Sequence, residues 1–148
     1  MTLPLHKVEA DAYSTTFAMS FAGGEVDDQI SATLRYNVYE PFAVTASFVL
    51  GEGPAIQWVM ARDLLRDGVA LPSGLGDIKM YPTAEGLFIE LHSPSGRAVL
   101  VAPLQSVVDF INTIYRAVPE DREAEFFSIE AELDRLSDLR PQSGASDN

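Results

Sequence analysis

Large apolar residues alternate with small or polar residues along much of the first 102 positions, and this period of two is typical of half-buried β-strands. The alternation is clearest in residues 17–21, 30–37 and 42–50. Residues 55–59 continue it after a Gly-Glu-Gly-Pro turn at 51–54. The first half of the chain therefore predicts four antiparallel strands in succession.

A short helix and three more strands are predicted next. Residues 62–67 fit a helix of one to two turns, with Gly68 as a left-handed residue that ends it. Strands are predicted at 77–81, 87–92 and 97–102. The sequence Ser-Pro-Ser-Gly at 93–96 joins the last two as a tight hairpin, because its glycine supplies the positive φ that such a turn needs.

From residue 104 onwards the apolar residues recur at steps of three and four, which predicts a helix that Pro119 ends. Its apolar stripe is wider than a surface helix needs, so the helix is expected to be buried on more than one side. Two interpretations stay open: the helix lies across the mouth of its own barrel, or it contacts other subunits. The stripe consists of Leu104, Val107, Val108, Phe110, Ile111, Ile114, Tyr115 and Val118.

A second, acidic helix is predicted to begin near Ser128, with Ile129, Leu133 and Leu136 facing inward. Residues 140–148 are polar and aperiodic and are expected to be a disordered tail. The fold class predicted is α+β: a curved, barrel-like antiparallel sheet of about seven strands with C-terminal helices, forming one domain over residues 1–139.

The composition limits the chemistry that the chain can carry. With 148 residues and 47% hydrophobic content, it has enough apolar material for one proper core. The absence of cysteine excludes disulfides, thiolate metal sites and a cysteine nucleophile. The N-terminal sequence lacks the pattern of a signal peptide, and no run approaches the roughly 18 apolar residues of a membrane helix. We therefore expect a soluble, cytoplasmic protein without direct membrane insertion.

The charge disfavours nucleic acid as a partner. Acidic residues number 22 and basic residues 10, giving a net charge of −12, and only two of the bases are lysines. A nucleic-acid-binding module needs basic strands interleaved with exposed aromatic residues. The predicted strands carry few bases and no cluster of them, so no nucleic-acid partner is expected.

Catalytic chemistry is nearly absent from the sequence. His6 and His92 are the only histidines, and with no cysteine they cannot complete a zinc site. The glycines at 74 and 76 fit no phosphate-binding motif, and neighbouring acidic residues usually face water. We predict no enzyme activity, no metal and no cofactor.

Five residues are candidates for contact with a protein partner. Trp58 is either a core aromatic residue or an exposed anchor at an interface. Arg62 and Asp63 begin the short helix, where they either pair locally or face a partner, and Arg66 lies one turn further on. Arg35 lies on the polar face of an otherwise apolar strand; arginine is enriched at protein interfaces.

Several short motifs identify a family. Residues 58–82 read WVMARDLLRDGVALPSGLGDIKMYP, and they are accompanied by LRY at 34–36, PFAV at 41–44, SPSG at 93–96 and AP at 102–103. In this order and at these spacings, the motifs resemble the SsgA-like sporulation and cell-division proteins of actinobacteria, most closely the SsgB branch. The likeness runs from about residue 30 to about residue 136. It departs from the family pattern before residue 30 and at residues 37–39.

The resemblance implies a structure and a role. It implies a fold similar to the Whirly single-stranded nucleic-acid-binding proteins, assembled as a homotrimer. It also implies a non-enzymatic adaptor, concentrated at the division septum, that recruits the tubulin-like GTPase FtsZ, promotes its assembly and works with SsgA-like paralogues. The alternatives are a Whirly-like module that binds single-stranded nucleic acid and a barrel that binds a small molecule. The residues expected at the oligomer interface are Val107, Phe110, Ile111 and Ile114.

Overall fold

The computed structural model describes residues 6–9, 11–23, 29–74 and 76–127 of the chain. The strands are β1 (His6–Glu9), β2 (Ala12–Phe21), β3 (Gln29–Asn37), β4 (Ala43–Leu50), β5 (Ile56–Ala61), β6 (Ile78–Thr83), β7 (Gly86–Ser93) and β8 (Gly96–Ala102). The helices are α1 (Arg62–Gly68), α2 (Leu104–Ala117) and α3 (Glu123–Phe126), with a 3-10 turn at Glu120–Arg122 between α2 and α3.

The strands form one antiparallel sheet in the order β5-β4-β3-β2-β8-β7-β6, and β1 pairs with β2 beside this path. Seven strands thus curl into a half-barrel, which confirms the predicted α+β class and its succession of four strands, a short helix, three strands and a helix. β1 was not predicted, and four residues are too few for a periodic signal.

The inner face of the curled sheet carries the core. Cross-strand partners such as Phe17 and Ala32, and Ala32 and Phe48, place buried apolar side chains side by side. The same alternation that predicted the strands from sequence therefore sets which residues point inward.

Helix α2 packs into this same core. The residues Val107, Phe110, Ile111 and Ile114 are all buried within the single chain and belong to the core cluster. Their prediction as an oligomer interface is therefore wrong: the wide apolar stripe covers the protein's own sheet. Pro119 follows the end of α2, as predicted.

Helix α1 connects the two edges of the half-barrel, because it follows the edge strand β5, leads to the opposite edge strand β6 and packs against both. The predicted left-handed conformation of Gly68 is wrong, since Gly68 is the last residue of α1 and its φ is not positive. A Cβ atom at Gly68 would overlap Met80 Cγ, so glycine is required here for close packing. Gly96 does adopt the positive φ predicted for the hairpin, at 145°.

The chain after α2 differs from the prediction. The 3-10 turn and α3 occupy residues 120–126, a stretch for which no element was predicted. The helix predicted from Ser128 and the tail at 140–148 lie outside the described residues.

Candidate partner-binding surface

Arg62 lies at the junction of β5 and α1 and is completely buried, with 0% of its surface exposed. Its Nε and Nη2 donate hydrogen bonds to Glu123 Oε2 at 3.0 and 2.8 Å, and its guanidinium lies 3.8 Å from the ring centroid of Tyr115. A cation so enclosed needs a counter-charge and donors directed at acceptors. Arg62 therefore joins α1 to α2 and α3.

The same guanidinium also reaches the sheet. Arg62 Nη1 donates to the hydroxyl of Tyr36 at 3.2 Å, and that hydroxyl donates to the carbonyl of Pro41 at 3.0 Å. Burial raises the pKa of Tyr36 to about 12, partly offset by the positive charge of Arg62. Tyr36, Arg62, Tyr115 and Glu123 form what we call the Arg62 cluster. The prediction that Arg62 faces a partner is wrong, and so is the one that it pairs locally: Glu123 is 61 residues away.

Asp63 and Arg66 lie on the outer side of α1 and are also paired. The hydroxyl of Tyr115 donates to Asp63 Oδ1 at 2.6 Å. Arg66 Nη1 lies 2.5 Å from Glu120 Oε2, and Arg66 Nε lies 3.0 Å from Asp67 Oδ1. These two carboxylates, Glu120 foremost, raise the pKa of Arg66. Both residues are partly open to solvent, so they stay candidates for partner contact.

Arg35 is separated from these residues by the sheet itself. Its side chain is exposed on the outer face of β3, while Tyr36 points into the core. The outer face around it carries small hydroxyl side chains, including Thr16 and Thr33, whose oxygens lie 2.9 Å apart. The structure therefore does not bring Arg35, Arg62 and Arg66 together into one patch.

Trp58 lines an apolar cleft of about 470 Å³ in the curled sheet, between the β4–β5 side and the β7–β8 hairpin. The indole is half-buried: it packs against the core and also faces the cleft, so Trp58 stays a candidate for partner contact. We call this the apolar cleft. Its lining consists of Phe21, Ile30, Phe48, Leu50, Ile56, Trp58, Leu91, Ser93, Ser95, Gly96, Arg97, Ala98 and Leu100.

The apolar cleft continues into exposed apolar surface. Leu50 is 54% exposed and Ile56 60%, and Val59, on the other face of β5, is 67% exposed. Leu50 and Ile56 both line the cleft, and exposed large apolar residues grouped in this way mark interaction sites more often than scattered ones do. Sequence reasoning missed Leu50, Ile56 and Val59, although a signal was present: β5 reads IQWVMA, with no charged residue and apolar residues on both faces.

The polar part of the lining comes from the β7–β8 hairpin. Arg97 Nη2 lies 3.5 Å from Glu90 Oε1, and Glu90 also accepts a hydrogen bond from the hydroxyl of Tyr81 at 2.9 Å. The Tyr81 hydrogen bond is the main cause that lowers the pKa of Glu90. His92 Nε2 lies 3.5 Å from Glu90 Oε1, the oxygen that also faces Arg97. The arrangement is a set of polar contacts around Glu90 beside the cleft, with Arg97 as the cation that lines it.

The described residues contain neither a metal-binding cluster nor a membrane-spanning helix. Within residues 6–9, 11–23, 29–74 and 76–127, no three side chains of His, Asp or Glu are grouped closely enough to hold a metal ion. None of the described helices is both long and apolar enough to cross a membrane.

Residues 30–123 match the family model described as "Streptomyces sporulation and cell division protein, SsgA". The chain is similar to the sporulation-specific cell division protein SsgB of Streptomyces coelicolor, with 37% identity over 111 residues, covering 72% of this chain and 81% of that protein. It is 31% identical to SsgB of Kineococcus radiotolerans over 140 residues, covering 90% of this chain and 83% of that protein.

Two solved structures resemble the half-barrel. One comes from work on SsgB in sporulation of Streptomyces coelicolor; it superimposes with a TM-score of 0.74 at 32% identity, covering 78% of this chain and 95% of that one. The other is an SsgA-like sporulation-specific cell division protein from Thermobifida fusca, with a TM-score of 0.74 at 26% identity, covering 88% of this chain and 99% of that one. Sequence and fold thus point to the same group of proteins.

Proposed function

The chain belongs to the SsgA family of sporulation and cell-division proteins, and from this membership we propose that it is a non-enzymatic adaptor that recruits FtsZ to future septum sites and promotes its assembly there. The observation that carries the proposal is the extent of the match: residues 30–123 span the sheet from β3 to β8 and the helices α1 and α2. The relatives are sporulation-specific cell division proteins, and the match covers most of the length of each.

The step from cell division to FtsZ rests on the family resemblance. The surface described above supports a contact made mainly by apolar side chains. The protein carries a net charge of −12, and we expect FtsZ to be acidic as well, so long-range attraction cannot supply the affinity. Of the arginines singled out from the sequence, Arg35 lies on the outer face of β3 and Arg66 is already paired with Glu120. The exposed apolar surface around Leu50 and Ile56 is the better source of binding energy.

Co-sedimentation of the full-length protein with FtsZ polymers from the same organism tests this proposal. We expect the protein to pellet with FtsZ, and to do so equally or more strongly when salt is raised from 0.1 to about 0.5 M, because salt screens the repulsion between two acidic proteins. Bovine serum albumin, an acidic protein without this fold, is the control. No enrichment over albumin would overturn the adaptor proposal, and strong loss at moderate salt would assign the binding to specific charge pairs.

We propose further that the protein forms a homotrimer, and that it works with SsgA-like paralogues at the septum. Three weak attachments to one filament become partly intramolecular, so avidity compensates for a small contact. Since the apolar stripe of α2 is used within the chain, the trimer contact must come from another surface. Sedimentation equilibrium at micromolar concentration should give three times the 16.1 kDa chain mass. A monomer would refute the trimer, and a fluorescent fusion spread evenly through sporulating cells would refute septal localisation.

A further inference from the structure

One edge of the half-barrel is left open for pairing. β5 is the last strand in the sheet order and, among the described residues, pairs with β4 alone. The N–H of Arg62 donates to the carbonyl of Phe42 at 2.9 Å, so the even-numbered residues of β5 share their hydrogen bonds with β4. The odd-numbered residues Gln57 and Val59 therefore direct their N–H and C=O groups at the open edge.

The opposite edge of the sheet, at β6, is partly covered. At β6, a bridge between Ser73 and Met80, with hydrogen bonds of 2.8 and 2.9 Å, covers part of the edge. Natural edge strands are usually protected by charged residues, proline or a bulge. β5 contains no charged residue and no proline, and its register with β4 is continuous. Within the part of the chain that the structure describes, its edge thus lacks the usual protection against pairing.

The apolar cleft lies directly beside this open edge. Ile56 and Trp58 of β5 line the cleft on one side, and Leu91 and Ala98 of the β7–β8 hairpin line it on the other. Side chains alternate along a strand. A strand added to β5 would therefore place every second side chain in the cleft while its backbone pairs with Gln57 and Val59.

We propose that the β5 edge and the apolar cleft together bind a short extended peptide of a partner protein by strand addition, with apolar residues at alternate positions and an acidic side chain near Arg97. This inference deepens the proposed function and rests on it for the partner's identity, since the peptide is taken to belong to the division protein that the adaptor recruits.

The observations favour a peptide over the other occupants of such a site. An open row of backbone donors and acceptors is useful to a polypeptide and useless to a lipid, which has no backbone to pair. A short peptide can pair with all six residues of β5. A stable interface with a second copy needs roughly 20 to 30 residues a side, so this edge alone would hold a second copy weakly. Arg97 provides the charge complementarity, because it is half-exposed and its 3.5 Å contact with Glu90 can be exchanged for an incoming carboxylate.

A displayed library of random eight-residue peptides, selected on the full-length protein, provides the test. We expect enriched peptides with alternating apolar residues and at least one acidic residue. Val59→Pro should weaken the selected peptides at least tenfold, because proline removes an outward N–H without removing a bond to β4. Val59→Thr, which keeps the N–H and the strand propensity, is the matched control and should bind within about twofold of the wild type.

Arg97→Gln separates the charge from the backbone. This variant should lose the preference for acidic peptides and still bind apolar ones, because the free N–H and C=O groups of β5 are unchanged. Circular dichroism melting of the three variants shows that each is folded before binding is compared.

Several results would overturn the inference. These are the absence of enriched peptides, equal binding by Val59→Pro and Val59→Thr, or a change of oligomeric state in Val59→Pro, which would show that a second copy uses the edge. Slow hydrogen exchange at Gln57 and Val59 in the peptide-free protein would also overturn it, because the edge would then already be paired.

Co-sedimentation of the same variants with FtsZ separates this inference from the proposed function. If the wild type pellets with FtsZ and Val59→Pro pellets equally well, the adaptor function stands and the β5 surface is wrong. If the wild type does not pellet while the peptide selection behaves as expected, the surface stands and FtsZ is not its partner.

Discussion

Arg62 shows how one side chain holds three parts of this fold together. Position 62 begins a short surface helix in the sequence, and an arginine there is normally solvated. In the structure it has Tyr115 against its face, Glu123 at its end and the hydroxyl of Tyr36 beneath it. Arg62, one of five candidates for partner contact in the sequence, therefore has a structural role.

The Arg62–Glu123 pair is expected to contribute far more to the free energy of unfolding than the exposed Arg122–Glu125 pair. Glu123→Gln removes the charge that faces the buried guanidinium, and breaking such a pair costs about 3 kcal/mol of unfolding free energy. Glu123 is only 14% exposed, so water cannot replace it fully. Glu125→Gln, which breaks the exposed Arg122–Glu125 pair of 2.8 Å, is the matched control and should cost less than about 1 kcal/mol. Urea unfolding followed by Trp58 fluorescence measures both, and equal losses would contradict the role given to Arg62.

Tyr36 predicts a loss of stability in alkali. Its pKa is about 12 in the fold against an ordinary value of 10, so the unfolded chain releases this proton first. The stabilisation is complete below pH 10 and declines as the pH rises from 10 towards 12, with a slope of about 1.4 kcal/mol per pH unit for one group. Burial raises the pKa of Tyr115 as well, and it adds to the effect. Tyr36→Phe should reduce the slope in urea titrations between pH 9 and 11.5, and an unchanged slope would refute this origin.

At the scale of elements, α2 illustrates an ambiguity that periodicity cannot resolve. A helix buried against its own sheet and one buried against another subunit have the same stripe, because both bury apolar residues at steps of three and four. The structure decides for the sheet, since Phe110 and Ile114 are completely buried in one chain.

An acidic residue placed in the stripe is therefore expected to prevent folding rather than to separate subunits. Ile111→Asp buries an unpaired carboxylate in the core and should lower the unfolding free energy by more than about 4 kcal/mol. Asn112→Asp adds the same charge one residue along, on the exposed face, and should change stability by less than about 0.5 kcal/mol. Thermal melts with light scattering measure both fold and mass. A folded Ile111→Asp protein of smaller mass than the wild type would restore the oligomer interpretation.

At the scale of the whole molecule, the excess of acidic residues makes nucleic acid an unfavourable partner. Nucleic-acid affinity depends largely on cations that neutralise phosphates, and this chain has ten bases against 22 acids. We therefore expect no binding of single-stranded DNA or RNA tighter than about 1 μM in gel-shift assays at 0.1 M salt. Salt-sensitive binding below that concentration would favour the nucleic-acid alternative and direct attention to Arg35.

The sequence by itself determined most of the secondary structure and its order, because period two and period 3.6 are local properties that a strand or a helix imposes on its own residues. Seven strands and the helices at 62 and 104 follow from that. The family also followed, since its motifs are local strings. The 3-10 turn and α3 were missed, because no apolar period marks residues 120–126 and their contacts, such as that of Glu123 with Arg62, come from far along the chain.

Only the tertiary structure decided which surfaces are free. Whether Arg62 faces solvent depends on α2 and α3 closing over it, and whether the stripe of α2 is available depends on the curl of the sheet beneath it. The apolar cleft and the open edge of β5 likewise exist because strands distant in sequence, β5 and β8, are brought near each other by that curl. A local pattern can show which residues are apolar, but it does not show which distant segment covers them. The burial of a surface therefore depends on contacts between segments far apart in the sequence.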